Sequence, residues 1–265
     1  MCVAPRSIEF YTSIQRLHRF TQIIEAGAAT GESYLFRGGC YQEQQMLDAA
    51  IQDYTKGLEY SGSLDDETIG ILYDSRGMCY QRTHRPEQAL ADSKQAVKHN
   101  PTESRAWANL GRTYHSMGNY EEALKAFATC IDINPQDTWV WYFRAQTYEA
   151  LGQPENIISD VTTLMALDVA KTAILYNTRA RAHLALGHYD AVIADCNAGL
   201  QPETLERDLE AWALFAVRGW AYFYLGKLED ALADFMDSIR LDQKAAHSRL
   251  GIGLVYKAMG AESGA

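Results

Sequence analysis

The sequence predicts an all-α fold in which pairs of helices repeat along the chain. Four residues between Ser104 and Asp137 share the i, i+3, i+4, i+7 spacing of one helix face: Trp107, Leu110, Gly111 and Tyr114. Ala123, Phe127 and Ile131 have a similar spacing on a second helix, after a short breaker. The same template fits again when it is shifted by about 34 residues in either direction, which indicates an internal repeat.

Each part of the chain has a place in this array. The segment from Ser7 to Ala26 carries one apolar stripe and is predicted to form an N-terminal capping helix within residues 1–30. Residues 31–245 are predicted to form six repeats with these approximate bounds: 31–64, 70–103, 104–137, 138–171, 173–206 and 212–245. Residues 246–265 are predicted to form a C-terminal capping helix and a tail. The first turn, Glu43 to Met46, lacks glycine, and Ser61 to Glu67 is predicted as a polar loop.

The third repeat carries a known signature. Its spacing is W-x2-L-G-x2-Y, then A-x3-F, then Pro135, and the chain therefore resembles the tetratricopeptide repeat (TPR) family over about Gly31 to Gly260. The resemblance implies an α-solenoid of six helix pairs wound as a right-handed superhelix, with about thirteen or fourteen helices and no strand. It also implies a scaffold that binds other proteins in a concave groove lined by the first helix of each pair.

Composition and charge exclude several classes of function. The formal net charge of −10 argues against broad binding of a nucleic-acid backbone, which needs a basic surface. The chain has five cysteines, an odd number, without metal-type spacing, and this favours buried or free thiols in the cytosol. The start of the chain lacks the apolar run of a secretory signal. The most apolar window, Ala211 to Leu225, is too short and too charged to cross a bilayer, so we expect a cytoplasmic protein.

No motif for catalysis, metal binding or nucleotide binding is present in the sequence. We therefore predict no catalytic residue, no metal and no cofactor. His183 occupies a position where other repeats have tyrosine, which favours a core imidazole over a metal ligand. Cys40 and Cys79 share the small-residue position of successive repeats, so packing is a better explanation for them than reactivity.

Comparison of the repeats with each other predicts pairs of charged residues. The position three after the tryptophan position holds Arg37, Arg76, Leu110, Arg144, Arg179 and Arg218. The position before the second helix's phenylalanine position holds Asp53, Asp92, Ala126, Asp160, Asp195 and Asp234. The one repeat without the arginine is also the one without the aspartate, so we predict Arg–Asp pairs that bridge the two helices of a repeat.

The family resemblance also indicates which residues line the groove. The candidate peptide-binding residues are Arg105, Asn109, Arg112, His115, Trp139, Tyr142, Phe143, Gln146, Asn177, Arg181, Trp220, Phe223 and Tyr224. Aromatic anchors flanked by arginine are typical of peptide recognition. Among the residues that TPR proteins use to hold chaperone C-terminal carboxylates, only Asn109 is present, so that ligand is not predicted. The aromatic residues near Trp220 could instead be covered by a terminal helix or by a second copy of the chain.

The leading hypothesis is a non-catalytic adaptor with a co-chaperone or complex-assembly role. Its partner is expected to be a protein segment with apolar groups for the aromatic residues and an acidic group for Arg105, Arg112 and Arg181. Two alternatives stay open: an RNA-binding helical-repeat protein, which the charge disfavours, and an enzyme with an unrecognised site.

Overall fold

The computed structural model describes residues 6–167, 172–201 and 211–262, and all regular structure in these ranges is helical. They contain fourteen α-helices and one short 3-10 helix, which confirms the predicted all-α class. The predicted ends of the fourth and fifth repeats and the end of the C-terminal tail lie outside the described residues. The chain divides into two compact units, one ending at Val140 and the other starting at Trp141.

The first unit contains seven complete helices and the start of an eighth. Their bounds are α1 Arg6–Glu25, α2 Gly31–Glu43, α3 Leu47–Glu59, α4 Asp66–Arg82, α5 Pro86–His99, α6 Ser104–Ser116 and α7 Tyr120–Ile133. Helices α2 and α3, α4 and α5, and α6 and α7 pack as pairs, and α1 packs against α2. In the third pair the ring of Phe127 lies against Gly111, where an added Cβ would come within 2.5 Å of the ring. The small residue thus permits the close approach of the two helices.

The second unit contains the remaining pairs and the last helix. The bounds are α8 Thr138–Ala150, α9 Pro154–Ala166, α10 Ala173–Ala185, α11 Tyr189–Gly199, α12 Ala211–Tyr224, α13 Leu228–Leu241 and α14 Ala246–Glu262. Helix α14 packs on α13 and α12. Val255 of α14 joins the buried cluster around Phe235, and Gly251 lets the helix approach the same ring closely.

The structure differs from the sequence prediction between the first and second pairs. Ser61–Ser63 form the 3-10 helix, and α4 begins at Asp66, within the predicted polar loop. Asp65 caps α4, because its Oδ1 accepts a 2.7 Å hydrogen bond from the Thr68 amide. In the glycine-free first turn, Gln45 itself adopts the left-handed conformation, with φ of 64°.

All five predicted Arg–Asp pairs are confirmed. Each arginine donates two hydrogen bonds, from Nε and Nη2, to the two carboxylate oxygens of the aspartate in the second helix of its own pair. In the first pair, these bonds raise the pKa of Arg37. The third pair of helices has Leu110 and Ala126 at the positions of the arginine and the aspartate, and both residues are buried. Cys40 and Cys79 are also buried, as the packing interpretation requires.

Candidate functional site

Asp74 of α4 is the centre of a polar network that joins the first helices of two successive pairs. Its side chain is 4% exposed, and its Oδ1 accepts a 2.7 Å hydrogen bond from the Asn109 amide. Arg112 Nη1 donates to Asn109 Oδ1 at 3.2 Å, and Arg105 Nε lies 3.2 Å from Asp74 Oδ2. Burial raises the pKa of Asp74, although Asn109 and Arg105 oppose this effect. One predicted groove arginine, Arg105, therefore pairs with the buried carboxylate directly, and Asn109 is buried between Asp74 and Arg112.

The other two candidates in the first unit are aromatic or imidazole side chains. The ring of His115 lies 5.4 Å from the ring of Tyr120, and partial burial lowers the pKa of His115. Trp139, in the first turn of α8, is 69% exposed. The first unit thus presents the indole of Trp139 at the surface, while Arg105 and Arg112 are held by polar contacts within the fold.

In the second unit, four of the predicted groove residues line one pocket. Tyr142 and Gln146 come from α8, whereas Asn177 and Arg181 come from α10. The pocket has a volume of about 380 Å³ and is completed by Trp212 and Ala213 of α12, among others. The first helices of three successive pairs therefore contribute to one concave site, as expected for a groove built from this face.

The charges at this pocket are already paired. Arg181 Nη2 lies 2.7 Å from Glu149 Oε1, and the Arg181 side chain is 56% exposed. Asn177 differs from these residues, because its Oδ1 is enclosed and has no hydrogen-bond partner among the described residues. Phe143 is half-buried, with its ring 6.0 Å from that of Tyr142 in an edge-to-face arrangement. The site therefore combines a neutralised ion pair, aromatic walls and one unsatisfied amide.

The aromatic residues near the end of α12 belong largely to the core of the second unit. Trp220 and Phe223 are half-buried and pack on the cluster that contains Phe235 and Val255. Tyr224 is exposed and stacks on Tyr189, with the ring centroids 5.3 Å apart. The C-terminal helix supplies Val255 to the cluster on which Trp220 and Phe223 pack, and α13 supplies Phe235.

Sequence reasoning missed two features of this surface. Trp212 precedes the first-helix positions that the family resemblance assigns to the groove, yet it forms part of the pocket wall. The contacts of Asp74 with Asn109 and Arg105 were also not predicted. The available signal was the presence of an acidic residue and two arginines at groove positions of successive repeats.

Comparison with known proteins agrees with this architecture. Two family models described as "Tetratricopeptide repeat" match the chain, one at residues 104–137 and the other at 31–63 and 214–244. A stretch of 90 residues, 34% of the chain, is 29% identical to heat shock protein STI1 of Saccharomyces cerevisiae and covers 15% of that protein. A stretch of 89 residues is 27% identical to human protein O-mannosyl-transferase TMTC1 and covers 10% of it. The matched part is thus a small fraction of each relative.

Solved structures share the fold. The C-terminal part of a TPR repeat-containing protein from Cytophaga hutchinsonii superposes with a TM-score of 0.71 at 17% identity, covering 93% of this chain and 97% of that one. YrrB, described as a TPR protein with an unusual peptide-binding site, gives a TM-score of 0.62 at 17% identity, with coverage of 74% and 95%.

These findings define an all-α repeat protein of the class that serves as scaffolds for protein–protein interaction. The chain carries tetratricopeptide repeats, as the matches of two family models and the solved structural neighbours show. The fold is generally non-enzymatic. Among the described residues, no helix has both the length and the apolar character needed to cross a membrane.

Proposed function

We propose that this chain is an adaptor that binds a segment of a partner protein along the face formed by the first helices of its pairs. The pocket in the second unit carries this proposal, because positions that the family resemblance assigns to the groove converge there from α8 and α10. Its size lies in the range of about 300–1000 Å³ that is usual for ligand pockets. Support also comes from YrrB, a fold neighbour that is described as having a peptide-binding site.

The partner segment is proposed to offer apolar side chains to Tyr142 and an acidic group to Arg181 in the second unit, and Arg105 and Arg112 of the first unit are proposed to bind acidic groups as well. A guanidinium has five N–H donors, so Arg181 can bind a second carboxylate while it remains paired with Glu149. Arg105 and Arg112 are held by Asp74 and Asn109 in a fixed orientation, which reduces the entropy lost on binding. A role in chaperone function or complex assembly is the finer proposal, supported by the similarity to a heat shock protein.

The test is the affinity of a purified partner, obtained by affinity capture and mass spectrometry, for variants of this pocket. Tyr142→Ala should weaken binding about thirtyfold, which corresponds to the loss of about 2 kcal/mol at an interface hot spot. Arg181→Gln should weaken it less, and the difference from wild type should shrink at high salt. Glu155→Ala on the exposed side of α9 is the matched control. Unchanged affinity of the Tyr142→Ala, Arg181→Gln double variant would place the binding site elsewhere.

A further inference from the structure

Helix α14 has the sequence of a first helix, but among the described residues no second helix packs on it. Gly253 and Tyr256 lie 34 residues after Gly219 and Tyr222, so they occupy the glycine and tyrosine positions of a further repeat. One side of α14 packs on α13 and α12. The side that contains Gly253 is exposed, and so is 56% of Tyr256. Within the described part of the chain, the pairing face of this first helix is therefore uncovered.

The six earlier first helices show what covers this face. Their residues at the glycine position are all buried: Gly38, Gly77, Gly111, Ala145, Ala180 and Gly219. In three of these pairs an aromatic ring of the second helix fills the space, and the rings are those of Tyr54, Phe127 and Phe235. A Cβ added to the facing glycine would come within 2.5–2.8 Å of the ring. At Gly253 an added Cβ would meet nothing within 4 Å, so the same position is open.

The fold of α14 does not itself require glycine at position 253. Glycine inside a helix is unfavourable relative to alanine, because the unfolded chain has more backbone freedom to lose. Gly251, two residues earlier, has a packing reason, since an added Cβ would lie 2.5 Å from the Phe235 ring. No such contact limits Gly253. A surface that accepts a closely packed ring from another helix explains this glycine.

The neighbours of Gly253 specify the chemistry of a helix that could supply the ring. Ile252 stands where five of the first helices have the arginine of an Arg–Asp pair. The third pair also has an apolar residue there, Leu110, and its second helix has Ala126 immediately before Phe127. An aspartate opposite Ile252 would be buried without a counter-ion. The helix should therefore carry a small apolar residue before its aromatic residue.

Charge adds a second requirement and argues against a second copy of the chain. Arg249 and Lys257 are exposed one turn before and one turn after Gly253, in a chain with a formal net charge of −10. Two copies of α14 packed antiparallel about Gly253 would bring Arg249 of one copy opposite Lys257 of the other, and like charges repel. An antiparallel helix with its ring on Gly253 places the residue four after the ring opposite Arg249. A carboxylate at that position fits this surface.

We propose that the face of α14 around Gly253 binds an amphipathic helix of a partner protein, which packs on α14 as second helices pack on first helices elsewhere in the chain. The partner helix has a small apolar residue followed by an aromatic residue, and a carboxylate four residues after the ring. Its ring lies on Gly253 beside Tyr256, and its carboxylate pairs with Arg249. The site uses the pairing positions of the repeat, so it does not depend on the groove function proposed above.

The experiment uses the full-length chain and labelled synthetic peptides of residues 119–134, which contain the sequence of α7. This sequence has Ala126 and Phe127 in the required order, and Ile131→Glu places a carboxylate four residues after the ring. A staple between positions 125 and 129 keeps the short peptide helical. We expect fluorescence anisotropy to give a dissociation constant below about 100 μM for the Ile131→Glu peptide. Adding Ala126→Asp to this peptide, which sets a carboxylate against Ile252, should weaken binding about tenfold.

Variants of the chain test the two contacts separately. Gly253→Ala should weaken binding of the Ile131→Glu peptide about tenfold, because its Cβ would collide with the ring, while the melting temperature should not fall. Gly39→Ala, in a helix and also with nothing within 4 Å, is the matched control and should bind like wild type. Arg249→Glu should weaken binding of the Ile131→Glu peptide, and an Ile131→Lys peptide should restore it.

The outcomes separate this inference from its alternatives. Absence of binding of the Ile131→Glu peptide at about 1 mM, or equal binding to wild type and Gly253→Ala, would refute it. A dimer in analytical ultracentrifugation that dissociates in Gly253→Ala would assign the face to a second copy of the chain and overturn the partner helix. Tyr142→Ala should bind the peptide like wild type, so the groove function and this inference can fail independently.

Discussion

Removal of one member of a buried Arg–Asp pair should destabilise the chain more than removal of both. In the second pair of helices, Arg76 donates to both oxygens of Asp92 at 2.8 Å, and the two side chains are 16% and 6% exposed. Tyr73 and Tyr80 flank the guanidinium, with ring centroids 5.6 and 5.8 Å from Cζ. Asp92→Ala leaves the Arg76 cation enclosed without its anion. Such a change typically lowers the free energy of unfolding by about 3–5 kcal/mol.

The electrostatics of the pair explain why the double variant should recover stability. Burial raises the pKa of Asp92 in spite of Arg76, so desolvation offsets much of the attraction. Burial is the largest single effect on Arg76 and acts to lower its pKa, but the hydrogen bonds and the charge of Asp92, together with Tyr80 and Tyr73, raise the pKa overall. Because burial opposes the charged form of both partners, we expect the pair to contribute little net stability. The double variant Arg76→Leu, Asp92→Ala introduces the residue types of the third repeat. It should therefore lower the free energy of unfolding by about 1 kcal/mol or less.

Urea denaturation of the four proteins of this double-mutant cycle measures the effect. Asp92→Ala should also lower the melting temperature by about 6–20 °C, since about 1 kcal/mol corresponds to about 2–4 °C for chains of similar size. The exposed pair Arg16–Glu43, with side chains 54% and 51% exposed, is the control, and its coupling should stay below about 1 kcal/mol. If the losses in free energy of unfolding for Arg76→Leu and Asp92→Ala are strictly additive, the two residues are not coupled and the prediction is wrong.

Two further predictions concern packing and pH. Gly111→Ala should lower the free energy of unfolding by about 1–3 kcal/mol, because its Cβ would lie 2.5 Å from the Phe127 ring. Gly39→Ala, with nothing within 4 Å, should instead raise it by up to about 1 kcal/mol, and equal effects in denaturation experiments would contradict this account. Burial lowers the pKa of His183, so the unfolded chain binds this proton first and stability is lost as the pH falls below the ordinary value of 6.5. His183→Tyr, the residue of the other repeats, should reduce the loss of melting temperature between about pH 8 and pH 5, and an unchanged pH dependence would exclude His183 as its source.

The repeated features of the fold could be predicted because the chain contains several copies of each position. Arg76 and Asp92 were assigned to one another because the third repeat lacks both members, with Leu110 and Ala126 in their places. Each repeat therefore served as a control for the others. The same logic gave the helix faces.

Features that occur once could not be predicted in this way. The contact of Asp74 with Asn109 joins different positions of two successive repeats, and no other pair of repeats has it within the described part of the chain. The partial burial of Trp220 depends on how α14 packs, which helical periodicity alone does not specify. The pocket at Asn177 likewise depends on the spacing of three helices and on the indole of Trp212. Periodicity determines which face of a helix is apolar, but it does not determine what covers that face.

The central claim is that the first-helix face of the second unit binds the partner. Photo-crosslinking tests it most directly, with benzoylphenylalanine placed at Tyr142 in one variant and at Glu155, on the exposed side of α9, in another. Crosslinked peptides identified by mass spectrometry should come from one continuous partner segment in the Tyr142 variant and should be absent from the Glu155 variant. Crosslinks of the same partner segment at Glu155, with none at Tyr142, would contradict the account.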